Sequence, residues 1–495
     1  MYLIGYDLGT SSLKASLIEV ATGKVIASTF SPSTEMPITA LKPGWAEQNP
    51  EMWWDNLIIA TKTVLAASLV KKEDIKAVGI SYQMHGLVMV DKNHKLLKSA
   101  ILWCDSRAVP YGDQAFEQIG EKKCLSHLLN SPGNFTASKL KWVKENEKDL
   151  YSKIYKIMLP GDYLAMKLSG QISTTITGLS EGILWDYKEQ KLADLVLDNY
   201  GLNRDYFPEA LPVFTVHGEL SGEAANILGL QKGTLISYKA GDVPNNAFSL
   251  NVLEPGEVAA TAGTAGIVYG ISEKPIYDDK SRVNIFAHVN HTTSHARHGV
   301  LLCTNGTGIL NSYMRNTLLA SSKLSYQEMD KLASEIKIGS DGLRIFPFGN
   351  GAERSLENKD LGYSLHGLRF NTHKVPHMLR ATQEGIVFFL NHGMNIIKDM
   401  GLQVKTVKAG KANMFLSPIF KEAFANLTGA ELKLYNTDGA QGCARGAGVG
   451  AGIYKNTKEA FIGLEAIETI SPDTSRSKEY KEAYDDWYRI LQKLL

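Results

Sequence analysis

The chain has 495 residues, which is too long for one hydrophobic core, so two large domains are expected. Lys plus Arg (53) and Asp plus Glu (52) nearly cancel, which argues against a nucleic-acid partner or a polybasic membrane contact and favours a small molecule. Four cysteines without CxxC spacing argue against a zinc knuckle and a disulfide framework. The sequence opens without a basic leader region, and polar residues interrupt every apolar run before it could span a membrane, so a soluble, cytoplasmic protein is predicted.

The N-terminal part of the chain is predicted to alternate between strands and helices. Residues 2–7, 13–20 and 24–30 have the apolar runs and turn residues of a three-stranded meander. Helical periodicity follows over residues 51–69, and residues 77–82 have the composition of a buried strand. This succession predicts an α/β fold.

A similar succession begins again near the middle of the chain. Residues 256–261 and 266–271 are predicted strands joined by a Gly263-Thr264 turn, just as Gly9-Thr10 joins the first two strands. The chain therefore looks duplicated.

The border between the two predicted domains falls at the turn signal of residues 254–256. The resulting parts are residues 1–252, residues 253–455 and a C-terminal segment, residues 456–495. Five aromatic or aliphatic residues of that segment fall on one helical face, so we expect the helix to pack back onto the protein as a clasp: Tyr480, Tyr484, Trp487, Leu491 and Leu494.

The two Gly-Thr hairpins are candidates for phosphate binding. Glycine has no Cβ, so the backbone N–H groups and hydroxyls of such a turn can surround an anion closely. Two such hairpins across a cleft would hold a nucleotide. In the first hairpin, Asp7 could hold Mg²⁺ through water, while three neighbours could approach the γ-phosphate: Thr10, Ser11 and Lys14. The alternative is an ordinary hairpin with a polar tip, and the repetition of the turn favours the functional interpretation.

Other nucleotide-binding signatures are absent. The chain has no GxxxxGK[ST] motif, and the stretch GCARGAGVGAG lacks the GxGxxG spacing after a strand. Its glycines are better explained by close packing of a helix predicted over residues 439–454, which follows another predicted helix over residues 413–428. P-loop and Rossmann folds are therefore disfavoured.

One carboxylate, Asp242, stands alone between a predicted strand over residues 234–238 and a segment that could begin a helix. An Asp at such a junction most often caps the helix, and Pro244 is tolerated in a first turn. The residues alone therefore favour a capping role for Asp242.

Seven stretches between residues 6 and 266 are similar to the motifs of one enzyme family, and the similarity as a whole runs in order from residue 1 to about residue 454. They are YDLGTSSLK, GWAEQNPEMWW, SYQMHGLVMVD, ILWCDSRA, TASKLKWV, MLPGDYLAMKLSG and AGTAG. The chain thereby resembles the FGGY carbohydrate kinases, and within them the enzymes that phosphorylate xylulose. The QMHG and GWAEQ stretches are specific rather than merely compositional.

The resemblance implies an actin/Hsp70-like ATPase fold, in which two ribonuclease-H-like domains enclose a central cleft. It implies sugar binding mainly on the first domain and ATP binding mainly on the second. Asp242 matches the family's catalytic base, and Asp7 and Asp242 are the implied ligands of Mg²⁺. The implied reaction transfers the γ-phosphate of ATP to the terminal hydroxyl of a ketopentose, D-xylulose first, and homodimers are common in the family. L-xylulose, ribulose, a polyol or gluconate remain alternative substrates, and a non-catalytic binding protein or a chaperone-type ATPase remain alternative functions.

The resemblance also assigns individual residues. Sugar contacts are implied for Gln83, Met84 and His85, although a lone His is more often a satisfied core residue. Trp103 and Asp105 are implied as an aromatic wall and a polar anchor, with Arg107 either bracing the loop or contacting the sugar. ATP contacts are implied for four residues, and more weakly for Gly306: Gly263, Thr264, Gly410 and Asn413.

The sequence departs from the family pattern at three places. Val243-Pro244 follows Asp242 where an amide and small residues are usual, so an amide that would contact the sugar is displaced or lost. Residues 409–412, Ala-Gly-Lys-Ala, replace consecutive glycines of the adenine loop, and GNGAERSLENKDLGYSLHGL replaces a Gly-Glu-Arg-Thr-Pro stretch. The first departure leaves the identity and stereochemistry of the sugar open.

Overall fold

The computed structural model describes residues 1–495 and has a mixed α/β fold. The strands, numbered in chain order, are β1 (Tyr2–Leu8), β2 (Leu13–Glu19), β3 (Val25–Ser31), β4 (Glu47–Gln48), β5 (Ile75–Tyr82), β6 (Val88–Val90), β7 (Ala100–Ile101), β8 (Lys156–Met158), β9 (Thr174–Thr175), β10 (Trp185–Asp186), β11 (Lys191–Leu192), β12 (Ala210–Leu211), β13 (Phe214–Glu219), β14 (Leu235–Gly241), β15 (Glu257–Ala262), β16 (Gly266–Ser272), β17 (Asn284–Ala287), β18 (His298–Thr304), β19 (Arg344–Phe348), β20 (Gly362–His366), β21 (Thr406–Gly410), β22 (Glu431–Tyr435) and β23 (Ala466–Ile470).

The α-helices are α1 (Pro50–Ser68), α2 (Val109–Ile119), α3 (Glu121–Leu128), α4 (Thr136–Asn146), α5 (Lys148–Tyr151), α6 (Pro160–Ser169), α7 (Ile176–Glu181), α8 (Asp194–Tyr200), α9 (Gly222–Leu228), α10 (Asp242–Ser249), α11 (Gly308–Tyr313), α12 (Tyr326–Ser334), α13 (Val375–Asp399), α14 (Pro418–Thr428), α15 (Gly439–Gly450) and α16 (Thr474–Leu494). Short 3₁₀ turns and one π-helical turn, Met314–Leu318, lie between them.

The first large sheet has the strand order β13-β14-β5-β1-β2-β3. Its centre is parallel, because β5 pairs in the same direction with β1 on one side and with β14 on the other. Antiparallel strands complete both sides: β1, β2 and β3 form a meander, and β13 pairs with β14. The predicted N-terminal meander is thereby confirmed.

The second large sheet has the strand order β17-β18-β16-β15-β21-β22-β23. Going from β18 to β23, neighbouring strands pair in the order antiparallel, antiparallel, parallel, parallel, antiparallel. Neighbouring strands of the first sheet, going from β3 to β13, pair in the same order. β17 is added at the meander edge. The predicted duplication is confirmed, and the two Gly-Thr turns occupy equivalent places between β1 and β2 and between β15 and β16.

Two predicted helices are shorter than expected. Residues 413–428 divide into a 3₁₀ turn, Asn413–Leu416, and α14, because Ser417 caps α14 and Pro418 begins it. α15 ends at Gly450 rather than at residue 454. The sequence pattern was right about the presence of both helices and wrong about their bounds.

Helix α15 lies on the first sheet, although its sequence belongs to the C-terminal half of the chain. A Cβ on Gly5 of β1 would overlap the carbonyl oxygen of Ala440 and the amide nitrogen of Ala444. A Cβ on Gly79 of β5 would overlap the carbonyl oxygen of Cys443. Helix and sheet backbones therefore touch directly, which only glycine allows.

Replacing Gly5 with Ala is expected to lower the free energy of unfolding by about 2–3 kcal/mol, because the added Cβ forces α15 away from the sheet. Gly222→Ala is the matched control: a Cβ there meets only Lys232 Cδ, at 3.8 Å, and the effect should stay within about 0.5 kcal/mol. Urea unfolding followed by circular dichroism measures both variants. Equal stabilities of the two variants would contradict the direct helix–sheet contact.

The C-terminal helix α16 packs on the second half of the protein, as its apolar face predicts. Trp487 stacks on Phe346 of β19 with ring centroids 4.9 Å apart. β23 pairs with β22, so the segment after residue 455 also completes the second sheet. Four of the five predicted face residues are buried and the fifth is partly buried: Tyr480, Tyr484, Trp487, Leu491 and, partly, Leu494. None of the helices combines the length and the apolar character needed to cross a membrane.

Candidate active site

Three parallel strands of the first sheet, β14, β5 and β1, place polar residues at one edge, because the carboxyl ends of parallel neighbours meet there. Asp7 lies near the end of β1 and faces Ser81 of β5 in register. Gln83 comes just after β5, and Asp242 directly follows β14. The fold thus brings three sequence-predicted residues, Asp7, Gln83 and Asp242, to the same sheet edge.

Asp7 is held between the first sheet and α15. Its Oδ1 accepts a hydrogen bond from Ser81 Oγ (2.7 Å), and a Cβ on Gly439, at the start of α15, would overlap its carboxylate. Burial raises the pKa of Asp7, an effect that the Ser81 hydroxyl and the charge of Lys14 oppose and the charge of Asp438 increases. Lys14 is exposed and lies opposite Asp7 in the β1–β2 register, so the two residues share the base of the first hairpin.

Asp242 is the first residue of α10, but its side chain does not cap the helix. Gly241, which has no side chain, occupies the cap position, so no side-chain cap hydrogen bond forms there. Burial raises the pKa of Asp242 to about 7, and the negative charge of Asp7 adds to the shift, which two backbone N–H groups oppose. A carboxylate with a pKa near 7 is suited to accept a proton from a hydroxyl. The capping alternative therefore finds no support in the hydrogen bonds of α10.

The acids at this edge fit a cation that keeps most of its water. No three His, Cys, Asp or Glu side chains cluster closely enough to enclose a metal ion. Mg²⁺ dehydrates reluctantly and is usually bound by one or two carboxylates together with substrate phosphates. A cation would also relieve the repulsion by Asp7 that raises the pKa of Asp242. Asp7 and Asp242 therefore fit Mg²⁺ that arrives with a nucleotide.

The pH dependence of the reaction tests the state of Asp242. A base must be ionised, and Asp242 is protonated below its pKa of about 7, so kcat/KM should fall as the pH drops through 7. For a single proton the loss at pH 6 is about tenfold relative to the plateau. Initial rates with both substrates below saturation measure this profile. A kcat/KM that stays constant between pH 6 and pH 8 would contradict a base with this pKa.

The hydroxyl of Thr10 links the first hairpin to the predicted sugar side. It donates to Gln83 Oε1 (3.0 Å) and accepts from the indole nitrogen of Trp103 (3.0 Å). Gln48 completes this network, because it donates to the Thr10 carbonyl (2.8 Å) and accepts from the Gln83 amide (3.2 Å). We expected Thr10 to meet the γ-phosphate, but its hydroxyl is already bonded to two sugar-side residues. Ser11, by contrast, is exposed at the hairpin tip.

Asp105 does not present its carboxylate to a ligand. Its side chain is fully buried and accepts hydrogen bonds from Arg107 (2.7–3.0 Å) and from the Ala46 N–H (2.6 Å). Arg107 also pairs with Glu47 (2.7 Å) and lies over the Trp45 ring at 3.7 Å. Asp105 and Arg107 therefore brace the loop that contains GWAEQ, and the structure gives no support to the expected polar anchor for the sugar at position 105.

The first side-chain amide after Asp242, that of Asn245, also bonds to groups outside the proposed sugar site. Asn245 is fully buried, donates to the Gly439 carbonyl (2.9 Å) and accepts from the Tyr238 hydroxyl (3.1 Å). It thereby ties α10 to α15. This agrees with the expectation that Val243-Pro244 displaces an amide from the sugar site.

His85 has the geometry of a neutral hydrogen-bond acceptor. Its ring packs between Phe135 and Phe286, with centroids 4.8 and 5.2 Å away, and burial lowers its pKa to about 3. Its Nδ1 is 2.9 Å from the Glu181 carbonyl oxygen, which can only accept, so Nδ1 bears the hydrogen and Nε2 is left as an acceptor. Met84 is its buried neighbour, and a Cβ on Gly241 would lie 2.6 Å from Met84 Cγ. Met84 therefore lies beside Gly241, the residue that precedes Asp242.

The second hairpin and the predicted adenine loop meet. A Cβ on Gly263 would lie 3.4 Å from the Asn413 amide nitrogen. The Gly263 carbonyl accepts from the Gly308 N–H (2.7 Å), and the Thr264 carbonyl accepts from the Ile309 N–H (3.2 Å), which fixes the turn against α11. Gly410 ends β21 and accepts from the Ala412 N–H (2.8 Å), so the loop to Asn413 begins there.

Gly306 has a packing role that the sequence did not indicate. Its N–H donates to Glu353 Oε1 (3.2 Å), and a Cβ there would overlap the carbonyl oxygen of Pro347. The close approach to Pro347 explains the glycine without a nucleotide. The structure therefore gives no support to the predicted ATP contact at Gly306.

Two buried charged residues beside His85 were not predicted from the sequence. Lys139 is fully buried, donates to the His85 carbonyl (2.8 Å), and has its pKa lowered to about 7 by burial. Glu181 provides the carbonyl oxygen that bonds His85. Lys139 lies in the motif TASKLKWV, which could have drawn attention to it, whereas nothing in the sequence around Glu181 distinguishes it from an ordinary helical residue.

Comparisons with known proteins identify related sequences and structures. The N-terminal domain of the FGGY family of carbohydrate kinases matches residues 2–249, half of the chain. Xylulose kinase of Bacillus subtilis (strain 168) is 29% identical over 499 residues, which cover 99% of this chain and 96% of that protein.

Two solved structures share the fold over the whole chain. Ligand-bound xylulose kinase from Lactobacillus acidophilus has a TM-score of 0.90 at 22% identity and covers 100% of this chain and 98% of its own. Gluconate kinase from the same organism has a TM-score of 0.89 at 22% identity, with the same coverage. These similarities confirm the predicted actin/Hsp70-like ATPase fold.

Proposed function

Because the chain belongs to the FGGY family of carbohydrate kinases, we propose that it transfers the γ-phosphate of ATP to the terminal hydroxyl of D-xylulose. Relatives named xylulose kinase, which match 99% of the chain, support D-xylulose as the acceptor. The observation that carries the catalytic part is Asp242: it lies at the carboxyl edge of the sheet, does not cap α10, and has a pKa of about 7.

In the proposed reaction, Asp242 accepts the proton of the attacking hydroxyl. The sugar oxygen attacks the γ-phosphorus, the bond to the bridging oxygen breaks, and ADP leaves. Catalysis then consists mainly of holding two substrates in line. Asp7 and Asp242 would hold Mg²⁺ together with ATP, and Mg²⁺ supplies neutralisation of the phosphate charge.

The sugar is proposed to bind among Gln83, Met84, His85 and Trp103. His85 Nε2 accepts from a sugar hydroxyl, since Nδ1 is bonded to a backbone carbonyl. Trp103 is 51% exposed, so its indole face is available to the carbon chain, and its nitrogen is fixed by Thr10. Thr10 then serves to align the first hairpin with the sugar.

The phosphates are proposed to lie between the two hairpins. Ser11 and Lys14 contact them from the first hairpin, and Gly263 and Thr264 from the second, while Gly410 and Asn413 border the adenine. This division assigns sugar binding to residues 1–252, nucleotide binding to residues 253–455 and the clasp to residues 456–495. Closure of the cleft would exclude water, which otherwise consumes ATP.

A panel of acceptors tests the proposal. ADP release from MgATP is measured with D-xylulose, L-xylulose, D-ribulose, xylitol and gluconate. We expect D-xylulose to give a kcat/KM at least about tenfold above that of every other acceptor. A higher value with another acceptor would reassign the substrate, and ADP release that no acceptor stimulates would contradict a sugar kinase.

A further inference from the structure

Glu181, the last residue of α7, is a buried acid without a hydrogen-bond partner. It is 1% exposed, and neither of its carboxyl oxygens accepts a hydrogen bond of normal geometry. Buried polar groups in native proteins are almost always paired, so an unpaired one requires an explanation. The side chain of Glu181 takes no part in the proposed proton transfer, cation binding or phosphate binding.

The carboxyl group of Glu181 lies among the residues proposed to bind the sugar. Its Oε2 is 3.0 Å from the place where a Cβ on Gly241 would be, and Met84 Cγ is 2.6 Å from the same point. Gly241 immediately precedes Asp242. On the other side, Oε2 is 3.9 Å from His85 Nδ1. The group is therefore placed between the proposed base and the proposed sugar contact.

Two neighbours could give Glu181 a purely structural role, and neither bonds to it. Lys139 is close enough to affect Glu181 through its charge, but its Nζ donates to the His85 carbonyl (2.8 Å). The Tyr82 hydroxyl lies close enough to favour the ionised carboxylate, yet it makes no hydrogen bond of normal geometry to either oxygen. Glu181 is thus surrounded by polar groups and paired with none.

The charges around Glu181 favour a neutral ligand. Burial raises the pKa of Glu181 well above its usual range, and the charge of Asp242 adds to this shift. A neutral carboxylic acid offers one O–H donor and one carbonyl acceptor, which match neighbouring hydroxyls that can each donate and accept. Lys139 beside it bears a positive charge below its pKa of about 7, and this charge disfavours a cationic ligand such as an amino sugar.

We propose that Glu181 is a specificity-determining residue of the acceptor pocket, whose carboxyl group binds two adjacent hydroxyls of a neutral polyhydroxy acceptor. The inference rests on the proposed kinase function, because it adds a contact to the same site. The contact lies beside the base, so Glu181 binds the hydroxyls on the carbons next to the reacting carbon of the sugar.

Substitution of Glu181 separates binding from chemistry. Glu181→Met removes the carboxyl group and keeps an unbranched side chain of similar length. We expect the KM for D-xylulose to rise about 30- to 100-fold, with the KM for MgATP within about twofold and kcat within about threefold of wild type. Glu181→Gln keeps one donor and one acceptor, so its KM for D-xylulose should rise less than about tenfold. An unchanged KM in the Met variant would overturn the assignment.

Monodeoxy analogues of D-xylulose locate the contact. The wild-type protein should lose at least about tenfold in kcat/KM with one analogue, and the Met variant less than about threefold with the same analogue. Equal losses in both proteins with every analogue would also overturn the assignment. Should the Met variant fail to fold, Glu181→Ala, which also removes the carboxyl group, decides, because an analogue penalty that it leaves unchanged contradicts the contact.

Tyr82→Phe is the control for a structural role. It removes the neighbouring hydroxyl and should leave the discrimination between D-xylulose and its analogues intact. If Tyr82→Phe abolishes that discrimination as the Met variant does, Glu181 acts through Tyr82 and the proposal fails. A wild-type protein that phosphorylates no acceptor would instead refute the proposed function, which is a distinguishable result.

Discussion

Asp242→Asn is expected to lower kcat by about 1,000-fold while the Kd for D-xylulose changes by less than about threefold. Asparagine has the shape of aspartate but cannot accept the hydroxyl proton. The loss falls on kcat because the proton leaves the hydroxyl in the transition state, whereas the bound sugar is held by other residues. Coupled ADP release gives kcat, and isothermal titration calorimetry with D-xylulose gives the Kd.

Asp438→Asn is the matched control for this substitution. Asp438 is another acid near Asp7, and it caps α15 by accepting from the Gln441 N–H (2.9 Å). Asn caps a helix about as well as Asp, so the kcat of this variant should stay within about threefold of wild type. Near-native kcat in Asp242→Asn would contradict the base assignment. Equal losses in both variants would show that only the removal of negative charge matters.

Asp7→Asn is expected to lower kcat by about 100-fold and to raise the Mg²⁺ concentration for half-maximal activity at least about tenfold. It should also change the pH profile. The charge of Asp7 opposes ionisation of Asp242, so its removal lowers the pKa of Asp242 from about 7. The acid limb of kcat/KM then moves to lower pH, and the variant loses less activity between pH 7 and pH 6 than the wild type does.

Ser81→Ala distinguishes a metal-binding role for Asp7 from a structural one. Ser81 donates to Asp7 Oδ1 (2.7 Å), so its removal loosens Asp7 without removing the charge. We expect a loss in kcat of less than about tenfold and an unchanged acid limb. If the Asp7→Asn variant has the same Mg²⁺ requirement and the same acid limb as the wild type, Asp7 neither binds the cation nor influences Asp242.

The strands and the duplication could be predicted because they follow from local pattern. Alternation and turn residues define β1, β2 and β3, and the second Gly-Thr turn marks the repeat. Asp7 and Asp242 could be singled out because they stand at the ends of apolar strands, where parallel neighbours place them at one edge.

Contacts between distant segments explain what could not be predicted. The carboxylate of Asp105 is turned away from a ligand by hydrogen bonds from Ala46 and Arg107. Ala46 lies 59 residues away in the sequence. The need for glycine at position 306, in the turn between β18 and α11, comes from Pro347 on β19. No local pattern contains this information, so the predicted roles of Asp105 and Gly306 find no support in the structure.

Contacts between distant segments also explain why the role of Glu181 could not be predicted. Its sequence neighbours are those of an ordinary short helix, and only the fold places its carboxyl group against Gly241 and His85. Sequence pattern therefore identifies the chemistry at Asp242 more readily than the groups that select the sugar. The glycines of α15 indicated that this helix packs closely on a neighbour, but they did not indicate that the neighbour is the first sheet.

Transfer of phosphate to a sugar hydroxyl rather than to water distinguishes a kinase from an ATPase on this fold. The most direct measurement uses MgATP labelled with ¹⁸O on the γ-phosphoryl group, incubated with D-xylulose and analysed by mass spectrometry. We predict that the label appears in a sugar phosphate esterified at the terminal carbon, in an amount equal to the ADP formed. Label found only in inorganic phosphate, at a rate that D-xylulose does not change, would contradict a kinase that uses Asp242 to activate a sugar hydroxyl.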